Sequence, residues 1–269
     1  MYQKTYPYPI CYRAEVDAQI EEMLKDGIIQ PSRSPWNSPI WIVPKKADAS
    51  GRKKFRMVID YRQLNKKTIS DAYPIPEIEF ALQNLGNSYR FTVVDLASGF
   101  HQIKMRQSDV EKTAFSVNGG KYEFIRMPFG LKNSPATFQR AMDDVLRKLI
   151  VEGKCLVYID DVIILGKNLE EHLRNIREVF ETLLEAGCRV QLDKTEFLRE
   201  EIEYLGYVVS RDGIKPNEKK ILAVRRYPKP LDLRQLRGFL GLTSYYRRFI
   251  KSYSYIAKPL TYTYTLIHF

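Results

Sequence analysis

The stretch CLVYIDDVIILG, residues 155 to 166, sets two adjacent carboxylates, Asp160 and Asp161, inside a run of strand-forming apolar residues. Two carboxylates ~4 Å apart repel by roughly 4 kcal/mol at an effective dielectric of about 20, so a hairpin tip holding both needs a cation or solvent to compensate. Neighbouring side chains on a strand point to opposite faces, so a turn must separate the two acids and one of them leads. A third acid, Asp95, closes the β-branched run YRFTVVD just before the small-residue turn ASG. If its strand pairs beside the hairpin, a second carboxylate comes close to Asp160. Oxygen-only ligation by few protein groups suits Mg²⁺, which keeps waters and completes its octahedron with substrate phosphates. Two such ions activate an attacking hydroxyl and stabilise a leaving oxygen in phosphoryl transfer. The bland alternative is an Asp-Asp turn compensated by water alone. Neither G-x-x-x-x-G-K-[ST] nor G-x-G-x-x-G occurs in the chain, which excludes a P-loop NTPase or a Rossmann enzyme.

The elements that must position these acids are readable from periodicity. Val16, Ile20, Met23 and Leu24 recur at helical spacing and stop at Gly27, predicting a helix over 14–26. PIWIVPKK and KFRMVIDYR, separated by a turn-rich ADASGRK, predict a protruding β-ribbon. A helix is expected from about Pro76 to Leu85, followed by the strand that ends at Asp95. Strands near Thr113–Val117 and Tyr122–Arg126 meet at Gly119 and Gly120. Ser134 as N-cap and Pro135 at the first helical position open a helix whose Phe138, Met142, Val145, Leu146 and Leu149 share a face, which should pack beneath the sheet. After the acidic hairpin come a helix over 169–186 closed by Gly187, a strand pair within 190–209, and basic helices near 217–226 and 233–250.

The chain has 269 residues, 44% of them hydrophobic and 28% charged, a balance that reads as folded and globular. No apolar run approaches the ~20 residues of a membrane-spanning helix, and no long apolar segment follows the basic residues at the N-terminus, so no secretory leader is expected. Cys11, Cys155 and Cys188 are odd in number and form no ligand pattern with His101, His172 or His268, arguing against a disulfide framework or a zinc site. An intracellular setting with reduced thiols is expected. Forty-three Lys and Arg against 32 Asp and Glu leave a net charge of +11. The excess is clustered: residues 52–68 hold seven basic residues and one acid, and residues 211–251 hold twelve against three. Two such clusters point to a polyanionic partner rather than to scattered solvated charge.

Eight segments together resemble one family. They are GIIQPSRSPWNSPIWIVPKK, KFRMVIDYRQLNKKT, YPIP, FTVVDLASGFHQI, FIRMPFGLKNSPATFQRAMD, CLVYIDDVII, YLGYVVS and LRGFLGLTSYYRRFI, spread over about residues 13 to 260. The sequence is similar to reverse transcriptases of gypsy-type LTR retrotransposons, a branch of the retroviral-like Pol polyproteins. The resemblance implies an α+β right-hand polymerase fold with palm, fingers and a partial thumb. It assigns an N-terminal segment and fingers to 1–70, palm to 71–104, fingers to 105–128, palm to 129–213, and partial thumb or connection to 214–269. It implies RNA-directed DNA synthesis: a primer 3′-hydroxyl attacks a dNTP by two-metal nucleotidyl transfer on an RNA or DNA template. Two Mg²⁺ ions, or Mn²⁺ in their place, would sit on Asp95, Asp160 and Asp161, with Asp95 and Asp160 the main ligands.

The same resemblance gives Lys194 a general-acid role toward the departing pyrophosphate. Lys45 and Arg56 would grip the triphosphate, Phe100 would lie under the sugar and disfavour a 2′-hydroxyl, and Leu96, Phe129 and Gly130 would complete the nucleotide pocket. Tyr204, Leu205, Gly206 and Tyr207 resemble a primer-grip hairpin, and Arg225, Arg226, Arg247 and Arg248 would contact backbone phosphates. The implied partners are an RNA template, a DNA primer/template duplex and dNTPs, with no membrane, in cytoplasmic element particles or the nucleus. The ending YTYTLIHF departs from the family pattern and reads as a core that stops before a ribonuclease H domain. A competing reading is a catalytically inactive nucleic-acid-binding remnant.

Overall fold

A computed structural model describes residues 1–44, 55–76, 85 and 88–266, the side chains of 263–266 excepted. The expected ribbon tip, including Lys45, and most of the helix expected over 76–85 lie outside the described residues. The first helix, α1 (Arg13–Lys25), buries Val16 and Ile20 as the periodicity requires. It leads into β1 (Ile29–Pro31), β2 (Ile40–Pro44) and β3 (Phe55–Ile59), then the short α2 (Arg62–Lys67). β2 and β3 pair antiparallel, with Val43 opposite Arg56. β4 (Arg90–Asp95) follows, then a one-turn α3 (Gln107–Val110) and the hairpin of β5 (Phe115–Val117) and β6 (Gly120–Phe124). β1 joins that hairpin to give the sheet order β1-β6-β5, and α1 closes it over a core containing Ile29, Tyr61, Phe115 and Phe124.

α4 (Ser134–Val151) starts one residue earlier than its cap signal suggests: Asn133, not Ser134, occupies the N-cap. The Ser134 hydroxyl instead donates to the Pro128 carbonyl at 3.0 Å, and the Asn133 side chain ties down residues 69 and 71. The hairpin of β7 (Cys155–Tyr158) and β8 (Asp161–Gly166) comes next, then α5 (Leu169–Glu185), whose Asn168 side chain accepts the Glu171 amide. Beyond it the expected strand pair is a correction: residues 196–216 form four strands, β9 (Glu196–Arg199), β10 (Glu201–Tyr204), β11 (Tyr207–Ser210) and β12 (Gly213–Pro216). β9 docks on β4 as an edge strand, whereas β10, β11 and β12 form a separate meander. The chain ends in α6 (Glu218–Arg225), α7 (Leu233–Tyr245) and α8 (Tyr253–Leu266). α7 therefore stops short of residue 250, and residues 253–266 add a helix that apolar periodicity did not reveal.

The central sheet has the order β7-β8-β4-β9. Alternation along β4 and β8 explains why both strands are almost wholly apolar. Val94, Val162 and Ile164 face Phe138, Met142 and Leu146 of α4 and Val179 and Leu183 of α5. Phe91, Ile163 and Leu165 face the other way, onto Ile202, Tyr204, Tyr207 and Val209 of the meander. With both faces covered, the acids can emerge only at the strand ends. No helix among the described residues is long and apolar enough to cross a membrane.

Candidate active site

β4 and β8 run antiparallel in a register that places Asp95 directly opposite Asp161. The directly opposed Cα atoms of such a pair lie roughly 4.5–5.5 Å apart. Tyr158 also pairs with Asp161, so β7 and β8 are joined through a two-residue turn of Ile159 and Asp160. That turn answers the geometric problem of the adjacent acids: Asp161 heads its strand while Asp160 projects from the tip. Ile159 adopts φ of 54°, a left-handed conformation that is strained for a β-branched side chain.

The strain is held by a residue for which the sequence gives little warning. Gln139 of α4 is fully buried; its Oε1 accepts the Ile159 amide at 2.7 Å, and its Nε2 donates to the Val157 carbonyl at 3.2 Å and to Asp143 at 2.9 Å. Asp143 in turn accepts the Tyr73 hydroxyl at 2.7 Å. The one available signal is an amide on the apolar stripe of α4 between Phe138 and Met142. Replacing Gln139 with Leu is expected to strand a buried N–H and a buried carbonyl, lowering stability by about 2 kcal/mol. By misplacing Asp160, it should also cost any turnover that depends on that carboxylate roughly 10²-fold. Thermal melts and single-turnover kinetics check both, and a Leu variant with an unaltered turnover rate would remove Gln139 from the site.

The three acids repel one another. Burial first, then Asp161, then Asp95, pushes the Asp160 carboxyl up to about 6 from an ordinary value of 3.8. Asp161 is also raised, by burial and then by Asp95. Asp160 Oδ1 is buried without a hydrogen-bond partner among the described residues. A Cβ built on Gly99 would lie 3.4 Å from that oxygen and 3.0 Å from the Phe138 ring, so only glycine lets the loop after β4 approach so closely. An orphaned carboxylate oxygen beside two further acids fits a hard divalent cation. Among the described residues no three His, Cys, Asp or Glu side chains are already gathered into a metal cage. The fit is therefore to an ion that takes one or two carboxylates and draws its other ligands from phosphates and water. Lys194 Nζ lies 3.3 Å from Asp95 Oδ2, the only ion pair to the three acids among the described residues.

The remaining candidates separate into two groups. Phe100 is buried, packing at 4.9 Å on the Phe129 ring and 5.3 Å on Phe138, and Leu96 is buried in the same core with its backbone bridged to Val190. Phe129 and Gly130 are exposed, and the Gly130 carbonyl accepts from Asn65 at 2.8 Å. Arg56 is exposed on β3, part of the ribbon. Tyr204 to Tyr207 form the β10–β11 turn, with Tyr204 and Tyr207 buried in the meander core against the sheet face from which Asp95 and Asp161 project. Arg225, Arg226, Arg247 and Arg248 are all exposed on the C-terminal helices and their connecting turn.

Comparison with known proteins agrees on one family. Residues 43–209 match the family model described as reverse transcriptase (RNA-dependent DNA polymerase). The chain is 54% identical over 262 residues to the retrovirus-related Pol polyprotein from transposon opus of Drosophila melanogaster, covering 97% of this chain and 26% of that polyprotein. It is 52% identical over 263 residues to the Pol polyprotein from transposon gypsy of the same fly, covering 97% and 25%. The chain thus spans about a quarter of the length of these relatives. Among solved structures, the foamy viral protease-reverse transcriptase in complex with RNA/DNA hybrid superposes with a TM-score of 0.83 at 30% identity, over 98% of this chain and 35% of that one. A second foamy viral form, in complex with double-stranded DNA, gives 0.87 at 32%, over 99% and 45%.

Proposed function

Because the chain belongs to the reverse transcriptase (RNA-dependent DNA polymerase) family and has its right-hand polymerase fold, we propose that it catalyses template-directed DNA synthesis: a primer 3′-hydroxyl attacks the α-phosphate of a dNTP and releases pyrophosphate. The observation that carries this reading is the facing pair Asp95 and Asp161 with Asp160 at the adjoining tip. Asp95 and Asp160 would hold two Mg²⁺ ions, replaceable by Mn²⁺, with Asp161 a further oxygen donor. Bound there, the ions would supply Lewis-acid stabilisation to the attacking and departing oxygens. Gln139 fixes the tip so that the Asp160 carboxylate is pre-oriented, and Gly99 sets no side chain against its buried oxygen. Lys194, within reach of Asp95, is suited to deliver a proton to the departing pyrophosphate. Arg56, together with Lys45, would grip the triphosphate through charge-assisted hydrogen bonds.

RNA or DNA template and primer would lie across the meander turn and the exposed arginines of the C-terminal segment; complexes of the foamy viral enzymes with RNA/DNA hybrid and double-stranded DNA support nucleic acid as the partner. The meander turn Tyr204–Tyr207 would serve as the primer grip. Extension of oligo(dT) on poly(rA) with Mg²⁺, with Asp160→Asn as control, tests the proposal. Absence of dTMP incorporation by folded protein would favour the reading as a non-catalytic nucleic-acid-binding remnant. Phe100, braced between Phe129 and Phe138, is the proposed barrier to a 2′-hydroxyl. Phe100→Val should raise ribonucleotide use relative to deoxynucleotide by about 10- to 100-fold, the range expected for removing one steric contact. Competition of ATP against dATP on a poly(dT) template checks it, and unchanged selectivity would assign Phe100 to packing alone.

A further inference from the structure

The turn between β10 and β11 is held by an unusual number of tyrosines. Leu205 and Gly206 both sit at positive φ, 48° and 80°. Leucine at such an angle costs on the order of 1 kcal/mol or more unless its surroundings enforce it. Both turn carbonyls are taken by hydroxyls from the C-terminal end of α7: Tyr245 donates to Leu205 and Tyr246 donates to Gly206 at 3.1 Å. Tyr207 donates back to the Tyr245 carbonyl at 2.8 Å, and its ring stacks on Tyr245 at 5.2 Å. A Cβ on Gly206 would fall 3.0 Å from the Tyr246 hydroxyl, so the clamp closes directly on the turn backbone.

The other end of the meander reaches the acids. Tyr204, paired with Tyr207, packs edge-on against Tyr158 at 6.5 Å, and Tyr158 is the strand partner of Asp161. The Tyr204 hydroxyl is buried without a hydrogen-bond partner among the described residues. Ring contacts of α7 with Tyr207 and of Tyr204 with Tyr158, joined by the strand pairing of Tyr204 with Tyr207, therefore link α7 to the strand that leads into Asp160. Rings alone would give packing. The two hydroxyls add directional bonds that orient the turn's peptide planes, and among the described residues the amides of Leu205 and Gly206 have no acceptor.

We propose that the Tyr245 and Tyr246 hydroxyls are positioning groups for the primer end. By holding both carbonyls of the Leu205–Gly206 turn, they fix that turn, and the primer lying on it, against the sheet that carries Asp160 and Asp161. The proposal rests on the polymerase reading and gives two residues at the C-terminal end of α7 a role exerted through the turn.

The test uses Tyr245→Phe, Tyr246→Phe and the double variant, which keep the rings and their stacking, with Tyr262→Phe on exposed α8 as control. Loss of one net hydrogen bond should raise KM for primer–template about 5-fold, and loss of both about 20-fold, with KM for dTTP changed less than about 2-fold. Hydrogen exchange of the amides of residues 205–207 should accelerate by similar factors while the central sheet keeps its protection, and Tyr262→Phe should change neither. Unchanged primer KM and unchanged exchange would overturn the proposal, as would equal losses in both KM values, which mark a general loss of folding. If the wild-type protein fails to extend primers, the polymerase reading fails. Local exchange and binding of a labelled RNA/DNA hybrid, measured by anisotropy, then decide the clamp separately.

Discussion

Asp160→Asn is expected to lower primer extension by at least ~10³-fold while making the metal-free protein more stable. The first effect follows from removing a charged oxygen donor at the point where two negative oxygens must be neutralised, a loss of about 4 kcal/mol in transition-state stabilisation. The second follows from the environment of the carboxylate. Its carboxyl is pushed up to about 6 from 3.8 by burial, by Asp161 and by Asp95. A carboxyl whose folded-state pKa lies above its unfolded one favours folding only while protonated. That contribution is complete below about pH 4 and is lost as pH rises through about 6.

At neutral pH the wild-type tip is therefore held at a cost, which asparagine, isosteric and neutral, removes. Discounted for the half of the group that solvent screens, the gain is about 1 kcal/mol, or roughly 2 °C in melting temperature. Melting in EDTA at pH 7.5 should show the variant above wild type, and at pH 4 the difference should vanish. Adding Mg²⁺ should raise the wild-type midpoint and leave the variant almost unmoved, because a cation bound to the folded state stabilises it by mass action. A variant that is both inactive and less stable at pH 7.5 would assign Asp160 a structural role and remove the premise of the metal proposal.

Affinity for an RNA/DNA hybrid is expected to fall by roughly 10³- to 10⁵-fold between 50 and 200 mM salt, the consequence of neutralising about 6 to 10 phosphates. The net charge of +11 and the twelve basic residues of 211–251 supply the counter-charge. Arg225, Arg226, Arg247 and Arg248 are exposed. They lie on the helices and turn that follow the meander, Arg247 and Arg248 directly after the Tyr246 whose hydroxyl holds the Gly206 carbonyl. Replacing all four with Gln should reduce the slope of log affinity against log salt by about 3 to 4, close to 0.9 for each duplex phosphate that is no longer neutralised. Anisotropy titrations with a labelled hybrid at several salt concentrations measure it. A flat salt response in the wild type would contradict the assignment of the basic clusters to phosphate. An unchanged slope in the quadruple variant would move the phosphate-binding surface elsewhere, with the cluster of residues 52–68 the next candidate.

The readable parts of the molecule are those whose signal is local. Alternating β-branched residues ending in an acid specify β4 and its terminal Asp95, and an apolar run interrupted by two acids specifies a hairpin with the acids at its tip, the turn itself being set at Ile159 and Asp160 only by the folded register. The stripe of α4 faces the sheet as its period requires, because helical spacing and burial are set by the same residues. Spacing also indicated that Asp160 and Asp161 could not project alike, since a strand alternates its faces.

What escaped the sequence is what depends on partners far along the chain. Residues 196–216 carry ordinary strand signals, yet whether each strand joins β4 or its own meander depends on which edge remains open once β7 and β8 have paired. Gln139 looks like a polar residue misplaced on an apolar stripe until the Ile159 amide, 20 residues away, arrives at its carbonyl oxygen. Tyr245 and Tyr246 read as two aromatics at the end of a basic helix; only the folded chain sets their hydroxyls on the carbonyls of residues 205 and 206. Residue types and their periods thus determined the chemistry available and the elements that bear it. Register, edge pairing and long-range hydrogen bonds came from the folded chain, because desolvation and bond geometry are satisfied between segments that no local pattern connects.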